Sequence, residues 1–490
     1  MLQLALNNIN HIIQLIVVIN AFFAVIVVFH RQRNIAATWA WLLVLVLLPA
    51  VGFILYMFTG RGMSHDKLFE MGKADRIGIK EMIDEQRKSL PHLEHTAVDA
   101  ITKDRQQTVE LFRRLDRAPL IRRNDVTIIT DGEEKFKMLL GDIAKAQHSI
   151  HIEYYTIYPD NIGTKLRDAL TERAKAGVEV RVVYDAFGSH GISKKFWRTL
   201  TNAGGEAIPF ITSTNVIARF RLNYHDHRKI VVIDGKIGYT GGFNVGDQYL
   251  GRSKKFGYWR DTHLKIIGHG VQLLQARFMM DWNASTPKPQ KLAWSPVYFP
   301  APDEAESGST SMQVVTSGPD SDTEQIKLGY IKLISDARKR VWIQSPYLVP
   351  DDSMLTALRM AAQSGVDVRI MIPHMPDHPF IYRATQYYAH LLHDYGVKIY
   401  VYQNGFIHAK TMLVDDDLSS VGSANQDFRS YGLNFEVNTF MYDSKVTEEL
   451  AKIYTEDMDN SLLLDNETIK SWSLWLRFKQ RFSRLLSPVL

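Results

Sequence analysis

The sequence predicts a duplicated α/β fold carried behind an N-terminal transmembrane helical hairpin. Three observations point there. A strand–helix–strand pattern occurs twice, in 146–184 and 337–372, the string H-x-K-x-x-x-x-D follows each copy, and two long apolar runs open the chain.

The apolar runs are residues 9–29 and 36–58. At about 1.5 Å per helical residue each is long enough for the roughly 30 Å hydrocarbon core of a bilayer. A cleaved leader is excluded as the reading because residues 1–8 lack Lys and Arg and the second run would stay unexplained. Pro49 and Gly52 are tolerated in membrane helices, and Trp39 and Trp41 suit an interfacial belt. Arg31 and Arg33 lie between the runs, whereas Arg61, Lys67, Lys73, Arg76 and Lys80 follow the second. By the positive-inside rule the rest of the chain is cytoplasmic, so residues 1–60 read as the anchor of a multi-pass cell-membrane protein.

Residues 61–115 are polar with scattered apolar positions and read as a helical connecting segment. The first α/β domain is expected over 116–285. Its buried strand IHIEYY leads through a Pro-Asp turn into a helix, a Gly stop at Gly177 and a second buried strand, VEVRVVY. Pro287, Pro289, Pro296, Pro300, Pro302 and a Ser-Gly-Ser stretch mark 286–311 as a linker. The second domain, 312–470, repeats the pattern with VWIQ, a Pro-Asp turn, Gly365 and VDVRIMI. In the last segment, 471–490, Trp475, Phe478, Phe482 and Leu485 recur at helical spacing beside Arg477, Arg481 and Arg484. Such a basic amphipathic helix suits an anionic bilayer surface.

The repeated motif carries the chemistry. His227, Lys229 and Asp234 form the first copy, His408, Lys410 and Asp415 the second, and each runs on to a small-residue turn ending in Asn, GGFN at Asn244 and GSAN at Asn425. Histidine is the side chain that serves near neutrality as nucleophile or as acid and base, and two copies allow both roles. Residues 223–233 and 405–414 read as strands, in which His and Lys, two apart, share a face. The lysine then clamps the non-bridging oxygens of a phosphodiester, where charge develops. Asp234 and Asp415 are out of phase with the histidines and read as support. Asp261 in YWRDTH and Glu436 in NFEVN stand at equivalent places after the motifs and are the candidate carboxylates to orient the imidazoles. Glu153, with Gln344 on the equivalent strand, is expected to border the site.

Other chemistries are not supported. There is no Ser or Cys nucleophile motif, Walker A loop or H-E-x-x-H helix. His374/His378 and His225/His227 have metal-compatible spacing but no neighbouring carboxylate or Cys partners in the sequence, so neither metal nor cofactor is expected. Zero Cys excludes thiol chemistry, and a net charge of +5 gives no sign of nucleic-acid binding.

The motif pair, with the strings HDHRKIVVIDGKIGYTGGFNVGDQYLG and YQNGFIHAKTMLVDDDLSSVGSANQDFRSYGLNFEVN, resembles the phospholipase D superfamily and within it the bacterial cardiolipin synthases. The resemblance spans nearly the whole chain. It implies two tandem phospholipase D-like domains, duplicated mixed sheets flanked by helices, meeting at a pseudo-twofold axis. It further implies transfer of a phosphatidyl group between two phosphatidylglycerols through a phosphohistidine, with anionic membrane lipids as partners; the alternative is a hydrolytic phospholipase D or a synthase using a different phospholipid donor, because water and a glycerol hydroxyl compete for the same intermediate. His227 would be the nucleophile, and His408, oriented by Glu436, the acid and base.

Overall fold

The computed structural model describes Leu15, Val18, Ile19, Ala21, Phe22, 35–48, Gly52, 100–210, 224–286, 291–300, 308–321 and 323–487. The chain forms two units. In the smaller, Met1–Ser64 with Ser213–Tyr224, an uncharged helix of 13 residues, Ile35–Leu47, turns Trp39, Leu43, Val46 and Leu47 outward. No helix among the described residues is long and apolar enough to cross a membrane. The predicted span at 9–29 lies for the most part outside the described residues, and that at 36–58 is described at 36–48 and at Gly52.

The larger unit is built on one sheet of 15 strands. Its first half contributes β1 (Ile121–Ile129), β2 (Ser149–Tyr154), β3 (Glu179–Tyr184), β4 (Glu206–Pro209), β5 (Lys229–Ile233), β6 (Ile237–Gly241), the short β7 (Trp259–Arg260) and β8 (His263–Gly268). The second half contributes β9 (Thr310–Ser317), β10 (Arg340–Gln344), β11 (Leu348–Val349), β12 (Asp367–Pro373), β13 (Lys398–Tyr402), β14 (Phe406–Ile407), β15 (Thr411–Val414), β16 (Leu418–Gly422), β17 (Gln426–Asp427), β18 (Glu436–Tyr442) and β19 (Ser461–Leu463). The sheet runs β19-β13-β12-β10-β15-β16-β18-β9-β1-β8-β6-β5-β2-β3-β4. Read outward from the central pair β9 and β1, both halves have the same order, and β19 is an addition to one edge. β2-β3-β4 and β10-β12-β13 are parallel and the neighbours around them antiparallel, which makes the sheet mixed.

Local chemistry explains the repeated units. Asp160 caps the helix Asn161–Lys175 by accepting from Gly163 N, and Asp351 caps Asp352–Gln363 by accepting from Met354 N. Gly177 and Gly365, at φ +87° and +89°, end those helices in the left-handed region that glycine enters without a Cβ penalty. In the following strands β3 and β12 one face is apolar, with Val180, Val182 and Tyr184 in the first and Val368, Ile370 and Ile372 in the second, while the other face opens with the ion pairs Glu179–Arg181 and Asp367–Arg369.

Packing joins the halves. A single apolar cluster holds Ile230, Leu264 and Phe278 of the first half with Leu413, Val437 and Tyr454 of the second. The end of the connecting segment forms the helices Ala100–Asp104 and Gln106–Leu115. Phe112 is buried there with its ring centroid 4.3 Å from that of Phe440. Part of the linker is fastened too, since Leu292 is buried and Tyr298 Oη donates to Glu179 Oε1 at 2.9 Å.

Both predicted motif strands are shorter than expected. Instead of 223–233 and 405–414, the sheet strands begin at Lys229 and Thr411. Ahead of them the backbone leaves its own ladder and pairs with the other half. His227 N donates to Phe435 O at 2.9 Å, and His408 N to Arg260 O at 2.7 Å. Neither histidine is therefore a strand residue of its own half.

Candidate active site

That crossing brings each histidine to the carboxylate of the opposite half. His227 Nδ1 lies 2.9 and 3.0 Å from the two oxygens of Glu436, and His408 Nδ1 lies 2.6 Å from Asp261 Oδ2. The sequence reading paired His408 with Glu436, and the structure corrects it. Phe435 O and Arg260 O each precede the carboxylate by one residue, so the bond that draws in the histidine backbone also delivers the orienting side chain. An ionised carboxylate only accepts, so Nδ1 is the donor in both rings and Nε2 keeps the lone pair.

The carboxylates are held differently. Glu436 also accepts from Ser423 Oγ at 2.5 Å, Ser430 Oγ at 2.8 Å and Asn434 Nδ2 at 3.4 Å. Asp261 accepts from Thr262 N at 2.7 Å. Gly242, the counterpart of Ser423, explains the difference in part, because a Cβ there would fall 1.9 Å from Asp261 Oδ1.

Both lysines bend back onto the motif. Lys229 Nζ donates to His227 O and Lys410 Nζ to His408 O, each at 2.5 Å, one of the three hydrogens an ammonium offers. The motif aspartates bind backbone elsewhere. Asp234 accepts from the N–H groups of Gln147, His148 and Ser149 at 2.7 to 2.9 Å, fixing the chain as it enters β2. Asp415 does the same at β10 through Arg338 N and Lys339 N, and also receives Arg105 Nη2 at 2.9 Å.

Electrostatics make this one site. Burial, helped by the charges of Lys229 and Lys410 and opposed by Glu436, brings His227 down to about 4. Burial and Lys410, opposed by Asp261, bring His408 to about 4. Burial also lowers Lys229 to about 7 and Lys410 to about 8, against the pull of Glu436 and Asp261. Burial alone would raise the two carboxylates, but His227 with Lys229 holds Glu436 below its ordinary value, and His408 with Lys410 does so for Asp261. The two imidazoles and two lysines, each influenced by a charged group of the opposite half, share one electrostatic environment.

The other expected residues are more peripheral. Asn244 Oδ1 accepts from Thr156 N at 3.2 Å, whereas Asn425 N donates to Ser430 Oγ at 3.0 Å and the residue keeps a buried side-chain oxygen with no hydrogen-bond partner among the described residues. Glu153, expected at the border, is fully buried beside Asp226. Burial and the like charges of Asp226 and Asp281 push its proton affinity well up. Gln344 joins a different network, donating to Asp457 Oδ2 at 2.7 Å and accepting from Thr411 Oγ1 at 3.0 Å.

Several neighbours escaped the sequence reading. Tyr155 sits edge-on to His227 with centroids 5.0 Å apart, and Trp259 lies 5.2 Å from His408. His225 stacks on Phe187 at 4.8 Å, with Nδ1 3.6 Å from Asp185 Oδ2, a carboxylate partner that spacing could not reveal. Arg228 clasps Asp281 through Nη1 at 3.0 Å to both oxygens, and its Nε donates to Glu436 O at 3.2 Å. The change of Gly242 to Ser423 between the turns GGFN and GSAN was an available hint of unequal support. Among the described residues no group of three or more His, Cys, Asp or Glu is placed to hold a metal ion.

Known proteins share this architecture. A family model described as cardiolipin synthase, PLD-like domain, matches residues 139–282 and 330–458, and one described as phospholipase D-nuclease N-terminal matches 18–61. The chain is 47% identical over 480 residues to a cardiolipin synthase of Listeria innocua, covering 98% of this chain and 99% of that one. It is 46% identical over 479 residues to the major cardiolipin synthase of Bacillus subtilis, with the same coverage. The crystal structure of phosphatidylserine synthase from Haemophilus influenzae superposes with a TM-score of 0.60 at 14% identity, covering 78% of this chain and 100% of that one, a likeness of fold alone. The chain belongs to the cardiolipin synthase family of phospholipase D-like proteins.

Proposed function

We propose that this phosphatidyltransferase moves a phosphatidyl group from one phosphatidylglycerol to another, giving cardiolipin and glycerol. His227 Nε2 attacks the donor phosphorus, an N–P bond forms, and the glycerol oxygen leaves with a proton from His408. The hydroxyl of the second phosphatidylglycerol then loses its proton to His408 and attacks the phosphorus, releasing His227. Lys229 and Lys410 bind the non-bridging oxygens, and the anionic phosphodiester raises His408 from about 4, so the acid arrives protonated with its substrate. One phosphodiester replaces another, so the exchange is near thermoneutral and calls for no nucleotide.

The observation that supports this reading is the crossed pair of His–carboxylate bonds. Two oriented imidazoles in one site suit two half-reactions of opposite proton demand. On this reading 116–285 and 312–470 are the two phospholipase D-like domains. Residues 9–29 and 36–58 are membrane-spanning helices that hold the site at the cytoplasmic face of the cell membrane, among anionic lipids.

The test supplies pure phosphatidylglycerol, labelled in headgroup glycerol and phosphate, to the full chain in micelles. Cardiolipin and glycerol should appear in equal amounts. Phosphatidic acid as the main product would make the protein a hydrolase, and turnover only with added phosphatidylethanolamine would assign a different donor.

A further inference from the structure

The helix Leu474–Leu485 sits with its polar side inward. On a 3.6-residue period Leu474, Trp475, Phe478, Phe482 and Leu485 share an arc of about 100°. That arc faces solvent: Trp475 is 63% exposed and Phe478 56%, while Gln480 and Ser483, opposite, are 3% and 2% exposed. The inward side is anchored. Arg477 Nη2 donates to Ile469 O at 3.0 Å, the Arg484 guanidinium lies 5.0 Å over Tyr387, and Tyr388 Oη reaches Ser487 Oγ at 3.5 Å. Tyr387 and Tyr388 belong to the helix Pro379–His393.

The outward residues form an ordered row. Trp475 stacks on Phe478 with centroids 5.4 Å apart, and Phe478 on Phe482 at 6.3 Å. Lys479 and Arg481, both exposed, flank the row on its two sides, with Lys479 Nζ 5.1 Å over the Trp475 ring. Removing such side chains from water is favourable, so a row left exposed forgoes a stabilisation that a cover would supply. A helix held only by the protein's own core would turn this row inward.

Charge decides the cover. The helix carries Arg477, Lys479, Arg481 and Arg484 and no acidic residue, so an antiparallel second copy would set like charges against each other. A sheet of phosphates above acyl chains matches an apolar centre between cationic flanks. We propose that the helix Leu474–Leu485 is a membrane-contact element that lies in the headgroup region of an anionic phospholipid bilayer, with Trp475, Phe478 and Phe482 at the acyl boundary. This contact rests on the reading that the substrates are bilayer phospholipids, and it is separate from any anchoring by the N-terminal region.

The chain has no Cys, so Phe478→Cys places one nitroxide in the row and Glu467→Cys one on an exposed position outside it. Each full-length variant is reconstituted in phosphatidylglycerol vesicles and in phosphatidylcholine vesicles. In phosphatidylglycerol, the label at 478 should collide several-fold more with lipid-phase oxygen than with a water-soluble nickel complex, the label at 467 should do the reverse, and phosphatidylcholine should narrow the contrast. Equal water access at both positions on phosphatidylglycerol would overturn the contact. So would dipolar broadening at 478 that vanishes on dilution with unlabelled chain, because a second copy would then be the cover. Trp475→Cys repeats the measurement if Phe478→Cys does not fold. Conversion of phosphatidylglycerol in micelles, run on the same samples, separates the two readings: turnover with a water-exposed label at 478 sinks the membrane contact alone, and a lipid-immersed label without turnover sinks the donor assignment alone.

Discussion

Around His227 and around His408 the same fold solves the same problem with different parts. Glu436, which orients His227, is gripped by Ser423, Ser430 and Asn434, whereas Asp261, which orients His408, is shorter and leans on Thr262 N in a space that only Gly242 leaves open. The approaches differ as well. His225, Asp185 and Phe187 stand beside His227, while the place of His225 is taken in the second half by Phe406, packed with Phe256 and Trp259 near His408. Duplication thus conserves the backbone while the surroundings diverge. The divergence is constrained, since each half owns the carboxylate that the other half's histidine needs.

This comparison can be broken at several levels. The largest effect is expected at the imidazoles, where His227→Ala and His408→Ala should each lower synthase turnover at least ~100-fold. A half that tolerated the loss would show that the two are not partners. Next come the carboxylates: Glu436→Gln and Asp261→Asn should each cost about 100-fold or more by leaving an imidazole in the wrong tautomer. Because the pairs cross, Glu436→Gln should slow formation of the intermediate on His227, and Asp261→Asn should impair leaving-group protonation. Single turnovers with a donor whose leaving group needs no proton would separate them, restoring Asp261→Asn but not Glu436→Gln, and the reverse pattern would refute the crossing.

In the pH profile of kcat/KM, which reports the free enzyme, the alkaline limb should steepen between about 7 and about 8, where Lys229 and then Lys410 lose their charge. Both lysines are lowered groups, so the clamp is complete only below those values. Lys229→Arg keeps its charge and should move the alkaline limb upward. An unmoved limb would assign it to another group. The unequal supports predict smaller, structural effects. Gly242→Ser overpacks the Asp261 pocket at about 1–3 kcal/mol, and Ser423→Gly loses a bond to a charged carboxylate at about 1.5–3 kcal/mol, both measured by thermal unfolding. Smallest for activity is Arg105→Ala. Asp234 manages on backbone donors alone, so removing the guanidinium that Asp415 and Asp417 share should leave synthase activity unchanged, at a stability cost of about 1.5–3 kcal/mol.

Much of this was legible in the chain. The repeated strand–helix–strand units carry their own punctuation in Asp160, Asp351, Gly177 and Gly365, and those signals act within a few residues. The identities of Asp261 and Glu436 followed from their equal positions after the motifs. Their partners did not, because the pairing is fixed by Phe435 and Arg260 meeting histidines on the far side of the β9–β1 junction, a contact with no local signature. For the same reason sequence pattern could not show that two domains share one sheet, that the motif strands stop short of their histidines, or that Arg105 reaches Asp415. Alternation placed Glu153 on a face without showing that its neighbours there are Asp226 and Asp281.

The central claim is a single site in which His227 carries the phosphatidyl group and His408 handles the proton. It is tested most directly by giving full-length enzyme phosphatidylglycerol labelled in its phosphate, quenching rapidly in denaturant and locating the label by peptide mapping. Wild type and His408→Ala should carry label on His227, and His227→Ala should carry none. Label on His408 would reverse the two halves, and no labelled histidine under any quench would contradict the covalent route and leave direct transfer between the two lipids.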